Sequence, residues 1–315
     1  MIDKPGLTRI SILILLATLA ACGGGGGGGT TGSSGNTATT DSSGGGATPP
    51  SSSARSAAPS APAPSGTVDF SATFPYTGQF TNANSDGLSN DGMWWVEQKS
   101  WGRAVVVNIG RDGGTALRLH TDPGDNNVSG SGNSERNDVA LQYTNSYQGD
   151  EQWWAHSILF PDDYAVTPWD QPTARAVVFD FHDTRNQGGQ ANFHVVVEPG
   201  GLLTFVANAG PTVVGDQGNQ YSYGADIGQL QKNVWYDFVY HVRWSAYGDG
   251  YFQAWVNGVK KLDHYGPTLY EGYGVYLKLA NYHTAFGQSS SVIHDRVIRG
   301  TTWDVVSLTS LEGVN

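Results

Sequence analysis

From about residue 103 onward the chain alternates. Short runs in which every second side chain is apolar occupy 103–108, 115–120, 136–143, 152–160, 175–182, 192–198, 202–207, 234–244, 251–257, 274–282 and 292–298. A period of two sends successive side chains to opposite faces of a strand. Turn formers separate the runs. Asp249-Gly250 and Asn257-Gly258 are the strongest, because both tolerate the positive φ that tight hairpins require, so 234–261 is predicted to be an antiparallel meander. Within it Tyr236, Phe238, Tyr240, Val242 and Trp244 alternate with Asp237, Val239, His241 and Arg243, which implies one buried and one partly wet face. Neither a long amphipathic helix nor an internal repeat interrupts the pattern. About a dozen antiparallel strands predict an all-β fold, a two-sheet antiparallel jelly-roll sandwich of the concanavalin-like kind.

The polar half of the alternation is where chemistry can lie. In YLKLANYH, together with the preceding Val275, the residues Val275, Leu277 and Leu279 take the buried face, and Tyr276, Lys278, Ala280 and Tyr282 share the other. In ARAVVFDFHD, Val177, Phe179 and Phe181 are expected inward, and Val178, Asp180 and His182 outward. SERNDVALQY puts Val139, Leu141 and Tyr143 inward against Arg136, Asp138 and Gln142. ANFHVVVE puts Phe193, Val195 and Val197 inward against Asn192, His194 and Glu198. On a curved sandwich such faces line one groove suited to an extended polymer. Each residue also has a plainer reading. A strand-face Lys or Arg is commonly just solvated, and a lone His such as His194 or His241 is more often a hydrogen-bonded structural residue than a base. Asp180 can simply bond His182, and Trp153 and Trp154 suit core and groove wall.

The N-terminal part is of another kind. Met1 to Arg9 is polar, Ile10 to Ala21 is apolar, and Leu19-Ala20-Ala21-Cys22 follows. The apolar stretch is short for a membrane span and has the anatomy of a secretory signal. It also resembles the lipobox of bacterial lipoproteins, which implies that Cys22, the only cysteine, is acylated and becomes the new N-terminus. The following Gly23, where sorted lipoproteins kept at the inner membrane carry Asp, implies outer-membrane retention. Residues 23–65 are almost wholly Gly, Ser, Thr, Ala and Pro and form a flexible tether. The expected organisation is a signal peptide at 1–21, the acylated Cys and linker at 22–66, and one folded domain at 67–315. This places the protein in the bacterial cell envelope, lipid-anchored at the outer membrane, periplasmic or surface-exposed, and as a monomer. The net charge of −11 argues against a nucleic-acid partner, which needs a basic footprint.

Other site types find little support. A retaining glycosidase needs two carboxylates about 5 Å apart, and no Glu-x-Asp-x-x-Glu run occurs. His-x-x-x-His and Cys-x-x-Cys metal spacings are missing too. Asp122, Asp125, Asn126 and Asn127 form an oxygen-rich loop able to hold a structural calcium, although turn formation is the favoured purpose. No catalytic cofactor or metal is expected.

Several of these runs together match a known group. The Arg136-Asn137-Asp138 strand, GDEQWWAHSILFPDDY, the strand ending in His182, the NVWYDFVYHVRWSAYGDGYFQAWVNGVKKL meander and the Tyr-x-Lys-x-x-x-Tyr strand at 276–282 resemble the heparin lyase I and glucuronan lyase group of polysaccharide lyases, which are β-jelly rolls. The resemblance covers about Arg136 to Val306. It implies β-elimination on an anionic polysaccharide, with His182 as base or its partner, Tyr282 as the catalytic tyrosine, Lys278 beside it and Arg136 binding substrate. Gln142, Asp180, His194 and Tyr276 join Arg136 as substrate-binding candidates on the same faces. The chain departs from the group's Gln-Trp-His run, having Asp180 for Gln and Phe181 for Trp, and shows no equivalent of its calcium ligands near Glu271 and Tyr273.

The residue types suit the chemistry on their own account. Elimination removes the carbon-5 proton of a uronate and expels the glycosidic oxygen from carbon 4. Arg136 or the Gln142 amide can neutralise the carboxylate, and a base and an acid must then act. Tyrosine is normally a weak base, since an unperturbed phenol titrates at about pH 10, and a nearby Lys278 favours the phenolate. His182, Lys278 and Tyr282 are therefore expected to converge on one sugar. The acidic net charge favours a carboxylate-only polymer such as glucuronan, alginate or an exopolysaccharide over sulfated heparin. A non-catalytic cell-surface carbohydrate-binding jelly roll and a glycoside hydrolase are the alternatives.

Overall fold

The computed structural model describes residues 65–307, apart from 82–85, 129–130, 171–174, 185–190 and 212–220. The expected signal segment, Cys22 and nearly all of the linker lie outside the described residues. The chain runs through β1 (Val68–Ala72), β2 (Asp86–Leu88), β3 (Trp94–Glu97), β4 (Ala104–Val107), β5 (Ala116–Thr121), β6 (Ser134–Leu141), β7 (Glu151–Leu159) and β8 (Ala176–Asp183). It continues through β9 (Phe193–Val197), β10 (Leu202–Ala209), β11 (Tyr221–Gln229), β12 (Trp235–Arg243), β13 (Tyr251–Val256), β14 (Val259–Tyr265), β15 (Val275–Thr284) and β16 (Ser290–Gly300), and a single turn of helix, α1 (Trp303–Val306), follows.

Two eight-stranded antiparallel sheets form the sandwich. The first has the order β14-β13-β12-β7-β16-β5-β4, with β1 also paired to β16. The second has the order β11-β10-β9-β8-β15-β6-β3-β2. Non-sequential neighbours in both sheets give the jelly-roll connectivity. The inward set of β12, Tyr236 to Trp244 at every second residue, enters the shared core as its alternation requires. Tyr240 is the hub of that core. Its ring meets Phe179, Phe181, Phe193 and Phe205 from the second sheet and Phe252 from the first. Buried aromatic rings of this kind carry most of the apolar area that holds two sheets face to face.

The two predicted hairpin signals work differently. Asn257 and Gly258 both have positive φ, 49° and 77°, and close the β13–β14 hairpin as a tight two-residue turn. Gly250 is needed for space instead, since a Cβ there would sit 2.5 Å from the Gly266 carbonyl oxygen. All eleven expected runs overlap strands. The strands β1, β2, β3 and β11 do not follow from the alternation, because β1 and β2 are largely exposed, β3 is only four residues long, and β11 is an edge strand with a mostly exposed pattern.

Polar side chains are also built into the interlayer. Asn281 of β15 donates to the Leu119 and Ser290 carbonyls of the opposite sheet. His156 stacks between Phe179 at 3.9 Å and Phe238 at 4.8 Å. Burial holds His156 well below its usual value and pushes His294, and likewise His194 on the outer face, down to about 3. The unfolded chain protonates these imidazoles near pH 6.5 while the folded chain keeps them neutral. Their contribution is therefore intact above pH 6.5 and is lost as the pH falls, by about 1.4 kcal/mol per pH unit for each group. Burial raises the Asp180, Glu135 and Asp295 carboxyls, which work in the opposite direction and recover part of this loss. The expected result is a lower melting temperature at pH 5 than at pH 7 in thermal denaturation, and an equal or higher value at pH 5 would contradict neutral buried imidazoles.

Candidate active site

β15 lies in the middle of the second sheet, between β8 and β6. Directly paired residues of antiparallel strands share a face. On one side Tyr276 pairs with His182, Lys278 with Asp180 and Tyr282 with Val177. On the other, Lys278 pairs with Ala140, Ala280 with Asp138 and Tyr282 with Arg136. β9 adds His194, opposite Asp180. β3 adds Trp95 opposite Ala140 and Glu97 opposite Asp138. The residues singled out by alternation thus lie on one outer face of one sheet.

Three details depart from strict alternation. β8 bulges between Val177 and Phe179, so Val178 turns into the core and Val177 faces outward, the reverse of the expected order. Tyr143, expected inward, is 88 % exposed, because its φ of 61° turns the chain out of β6. Asn192, expected outward, is buried and donates to the Asn208 carbonyl.

The middle of this face is an ionic bed. Lys278 Nζ lies 3.0 Å from both Glu97 Oε2 and Asp138 Oδ2. Arg136 Nε lies 2.6 Å from Asp138 Oδ2, and its terminal nitrogen 2.5 Å from Glu97 Oε2. Burial alone would raise the Asp138 carboxyl, but the Arg136 and Lys278 charges outweigh it and hold it below the usual carboxylate range. Burial likewise opposes the Lys278 charge, but the Asp138, Glu97 and Asp180 carboxylates together more than offset it, so the ammonium is retained. Lys278 is 2 % exposed and not on a wet face as expected. It also lies four residues from Tyr282, about 13 Å along the strand. The cation beside Tyr282 is Arg136, whose guanidinium carbon sits 5.2 Å from the ring centroid.

Beside the bed lie an Asp180 oxygen and the His194 ring, whose polar atoms lack hydrogen-bond partners. The Asp180 Oδ1 atom is buried and makes no hydrogen bond, and burial pushes this carboxyl up to about 6 against the attraction of Lys278. His194, across the strand boundary, is 9 % exposed, and neither of its ring nitrogens has a partner in hydrogen-bond geometry; its approach to the Ala191 backbone is too loose to count. His182 donates from Nδ1 to the Asp183 carbonyl at 3.0 Å and stacks on Tyr276 at 5.5 Å.

Clefts open at the two ends of the bed. One, of about 210 Å³, is lined by Tyr282, His194, Arg175, Val177, Ser134 and Thr284 among others. The second, of about 450 Å³, is lined by Tyr276, Trp95, Gln142, Tyr143, Asn145 and Thr184 among others. The expected convergence of His182, Lys278 and Tyr282 on one sugar is not found. His182 lies opposite Tyr276, and five to six residues separate that level from Tyr282, about 17–20 Å along the strands at 3.3 Å per residue. His194 and His283 both line the cleft of Tyr282, but the His283 ring is buried against Thr121 and Glu135, so His194 is the outer-face imidazole there.

In the Asp122–Asn127 loop, Arg103 lies between Asp122 and Asp125, with Nε 2.6 Å from Asp125 Oδ2, and supplies the positive charge there. Among the described residues no group of three or more His, Cys, Asp or Glu side chains is arranged to hold a metal.

A family model described as polysaccharide lyase matches residues 82–298, well over half of the chain. The chain belongs to the polysaccharide lyase family. No curated protein matches it in sequence. Among solved structures, this lyase is similar to an endo-β-1,4-glucuronan lyase from the fungus Trichoderma reesei, with a TM-score of 0.57 at 18 % identity over 76 % of this chain and 98 % of that one. It is also similar to an exolytic alginate lyase from Zobellia galactanivorans, with a TM-score of 0.45 at 11 % identity over 70 % and 93 % of the two chains. An alginate lyase from a Chlorella virus gives 0.42 at 11 % identity over 67 % and 94 %. The first of these likenesses is one of fold.

Three residues of the lyase's outer face do not emerge from the sequence pattern as read above: Glu97, Trp95 and Arg175. A signal exists for the first two, since WWVE alternates Trp94 and Val96 inward with Trp95 and Glu97 outward. Arg175 precedes β8 and reaches the Tyr282 cleft while pairing with Glu198 at 3.0 Å, which only the fold reveals.

Proposed function

We propose that this polysaccharide lyase cleaves a uronate-containing polysaccharide, such as glucuronan, alginate or a related exopolysaccharide, by β-elimination at the Tyr282 cleft. The observation that carries the reading is that a phenol, an imidazole and a guanidinium line one cleft on the outer face of a polysaccharide-lyase sheet. Elimination needs these three functions: neutralisation of the uronate carboxylate, removal of the carbon-5 proton, and protonation of the departing carbon-4 oxygen. Arg175 meets the carboxylate. Tyr282 and His194 share the proton transfers, the electron pair of the carbon–hydrogen bond becoming the new double bond as the carbon–oxygen bond breaks. Arg136 places a positive charge at the face of the Tyr282 ring, where it stabilises negative charge that builds on the phenolic oxygen in the transition state. Asp180 accepts a hydrogen bond from a sugar hydroxyl. His182 holds the chain further along the face, and Lys278 acts by fixing Arg136 through Glu97 and Asp138. No cofactor is required by this scheme.

The sequence supports a further element of the reading, that Cys22 is acylated and tethers a monomeric enzyme to the outer membrane.

Incubating the purified protein with a panel of polyuronates and following the ultraviolet absorbance of the unsaturated uronate tests the scheme. An absorbing product is expected from at least one carboxylate-only polymer. Reducing ends without absorbance would mean hydrolysis, and neither signal would mean a binder. Within the active enzyme, His194→Ala is expected to lower kcat more than His182→Ala, and the reverse order would move the reaction to the other cleft.

A further inference from the structure

The second cleft has no part in the elimination chemistry, yet it is the larger of the two at about 450 Å³ and is built from rings. Trp95 is 39 % exposed and Tyr143 is 88 % exposed. Tyr143 holds this position with a left-handed φ of 61°. A non-glycine residue in that region costs on the order of 1 kcal/mol, and such strain persists mainly where the surroundings or a function require it. The alternation of β6 would have buried this ring beside Val139 and Leu141; the fold turns it outward instead. Tyr276 completes the cleft. Burial pushes its phenol up to about 12, so it stays an uncharged O–H donor at any working pH. Gln142 and Asn145 add amides.

Glu97 also lines the cleft, its charge held by Lys278 and Arg136. Rings flanked by amides, a phenolic donor and a paired carboxylate match one chemistry. A pyranose presents apolar C–H faces and hydroxyl edges, and amphipathic aromatic side chains offer both kinds of contact with little entropy to lose. The cleft is also continuous with the reaction centre. Tyr276 and Tyr282 stand on the same face of β15, six residues or about 20 Å apart. A polymer laid along this face from the Tyr282 cleft runs over the ionic bed and reaches the rings.

We propose that Trp95, Gln142, Tyr143 and Tyr276 form a distal pyranose-binding subsite that grips the polysaccharide several sugars away from the bond that breaks. The proposal rests on the reading of Tyr282 as the reaction centre. It makes the enzyme a chain-length sensor: substrates long enough to span both clefts gain affinity, and short ones do not. Binding energy far from the reacting bond, felt equally by ground and transition states, lowers KM and leaves kcat alone.

The test uses Trp95→Ala and Tyr143→Ala in the full-length protein. Neither residue touches the Tyr282 cleft. On polymer, KM is expected to rise roughly 3- to 10-fold for each ring lost, the range that ring stacking supplies, with kcat unchanged. On di- and trisaccharides, too short to span both clefts, both constants should match the unaltered protein. Equal effects on long and short substrates, or none on either, would overturn the subsite. Retention of the same variants in gels cast with polymer gives a readout independent of turnover. If the unaltered protein yields no unsaturated product, the elimination reading fails, and weakened retention of the variants still decides whether the rings bind the chain.

Discussion

Replacing Tyr282 by phenylalanine is expected to lower kcat about 10²–10⁴-fold, the usual contribution of a positioned acid or base, while the protein remains folded. The change removes one oxygen. The ring stays to fill its place on the outer face, and Arg136 keeps an aromatic surface 5.2 Å from its guanidinium carbon. Among the described residues no hydrogen bond of the fold depends on the phenolic oxygen, and the residue is only partly buried. The loss should therefore fall on kcat and kcat/KM together, the mark of an interaction made in the transition state, with KM little changed. Circular dichroism and the melting temperature of the variant should match the unaltered protein. A folded Tyr282→Phe variant that turns over within tenfold of the unaltered enzyme would remove Tyr282 from the reaction.

Periodicity makes the sandwich legible because a sheet with one buried face writes its geometry directly into the sequence. The meander of β12 and the YLKLANYH strand take the faces that alternation assigns them for this reason. The same logic brings Arg136, Asp138, Asp180, His182, His194, Tyr276, Lys278 and Tyr282 onto one face, which the register of β15 with β6 and β8 bears out. Alternation says which face a residue takes but not how far along it lies. Position along the face is set by strand register and bulges, and these depend on partners remote in sequence. Hence alternation leaves open whether His182 and Tyr282 are neighbours, the family resemblance implies that they are, and the pairing of His182 with Tyr276 places them at different levels. Burial is equally hidden. An outward lysine reads as wet until Glu97, itself on a strand too short to stand out, is found beside it. The bulge at Val178 leaves no mark in a run of apolar residues that fit either face.

Lys278→Met is expected to cost the fold about 3–5 kcal/mol, the loss found when one member of a buried charge cluster is removed. At roughly 2–4 °C per kcal/mol for a domain of this size, the fall in melting temperature should be plain in a thermal scan. The reasoning turns on what stays behind. Asp138 is 2 % exposed, and its Oδ1 atom already lacks a hydrogen-bond partner. Without the ammonium, Arg136 alone must balance Asp138 and Glu97, and one net negative charge is stranded under the outer face. A lysine standing in solvent, as alternation alone suggests, would be replaced at a cost within about 0.5 kcal/mol. The two pictures therefore differ several-fold in one measurement. A second variant separates the charge from the packing: adding Asp138→Asn to Lys278→Met removes the stranded charge and should return part of the lost stability, a coupling that a purely steric defect would not show. The single variant should also lose turnover even below its melting temperature, because Arg136 is then held by fewer fixed partners beneath Tyr282. A melting temperature unchanged by Lys278→Met would mean that the ionic bed does not organise this face, and with it would go the positioning role assigned to Lys278.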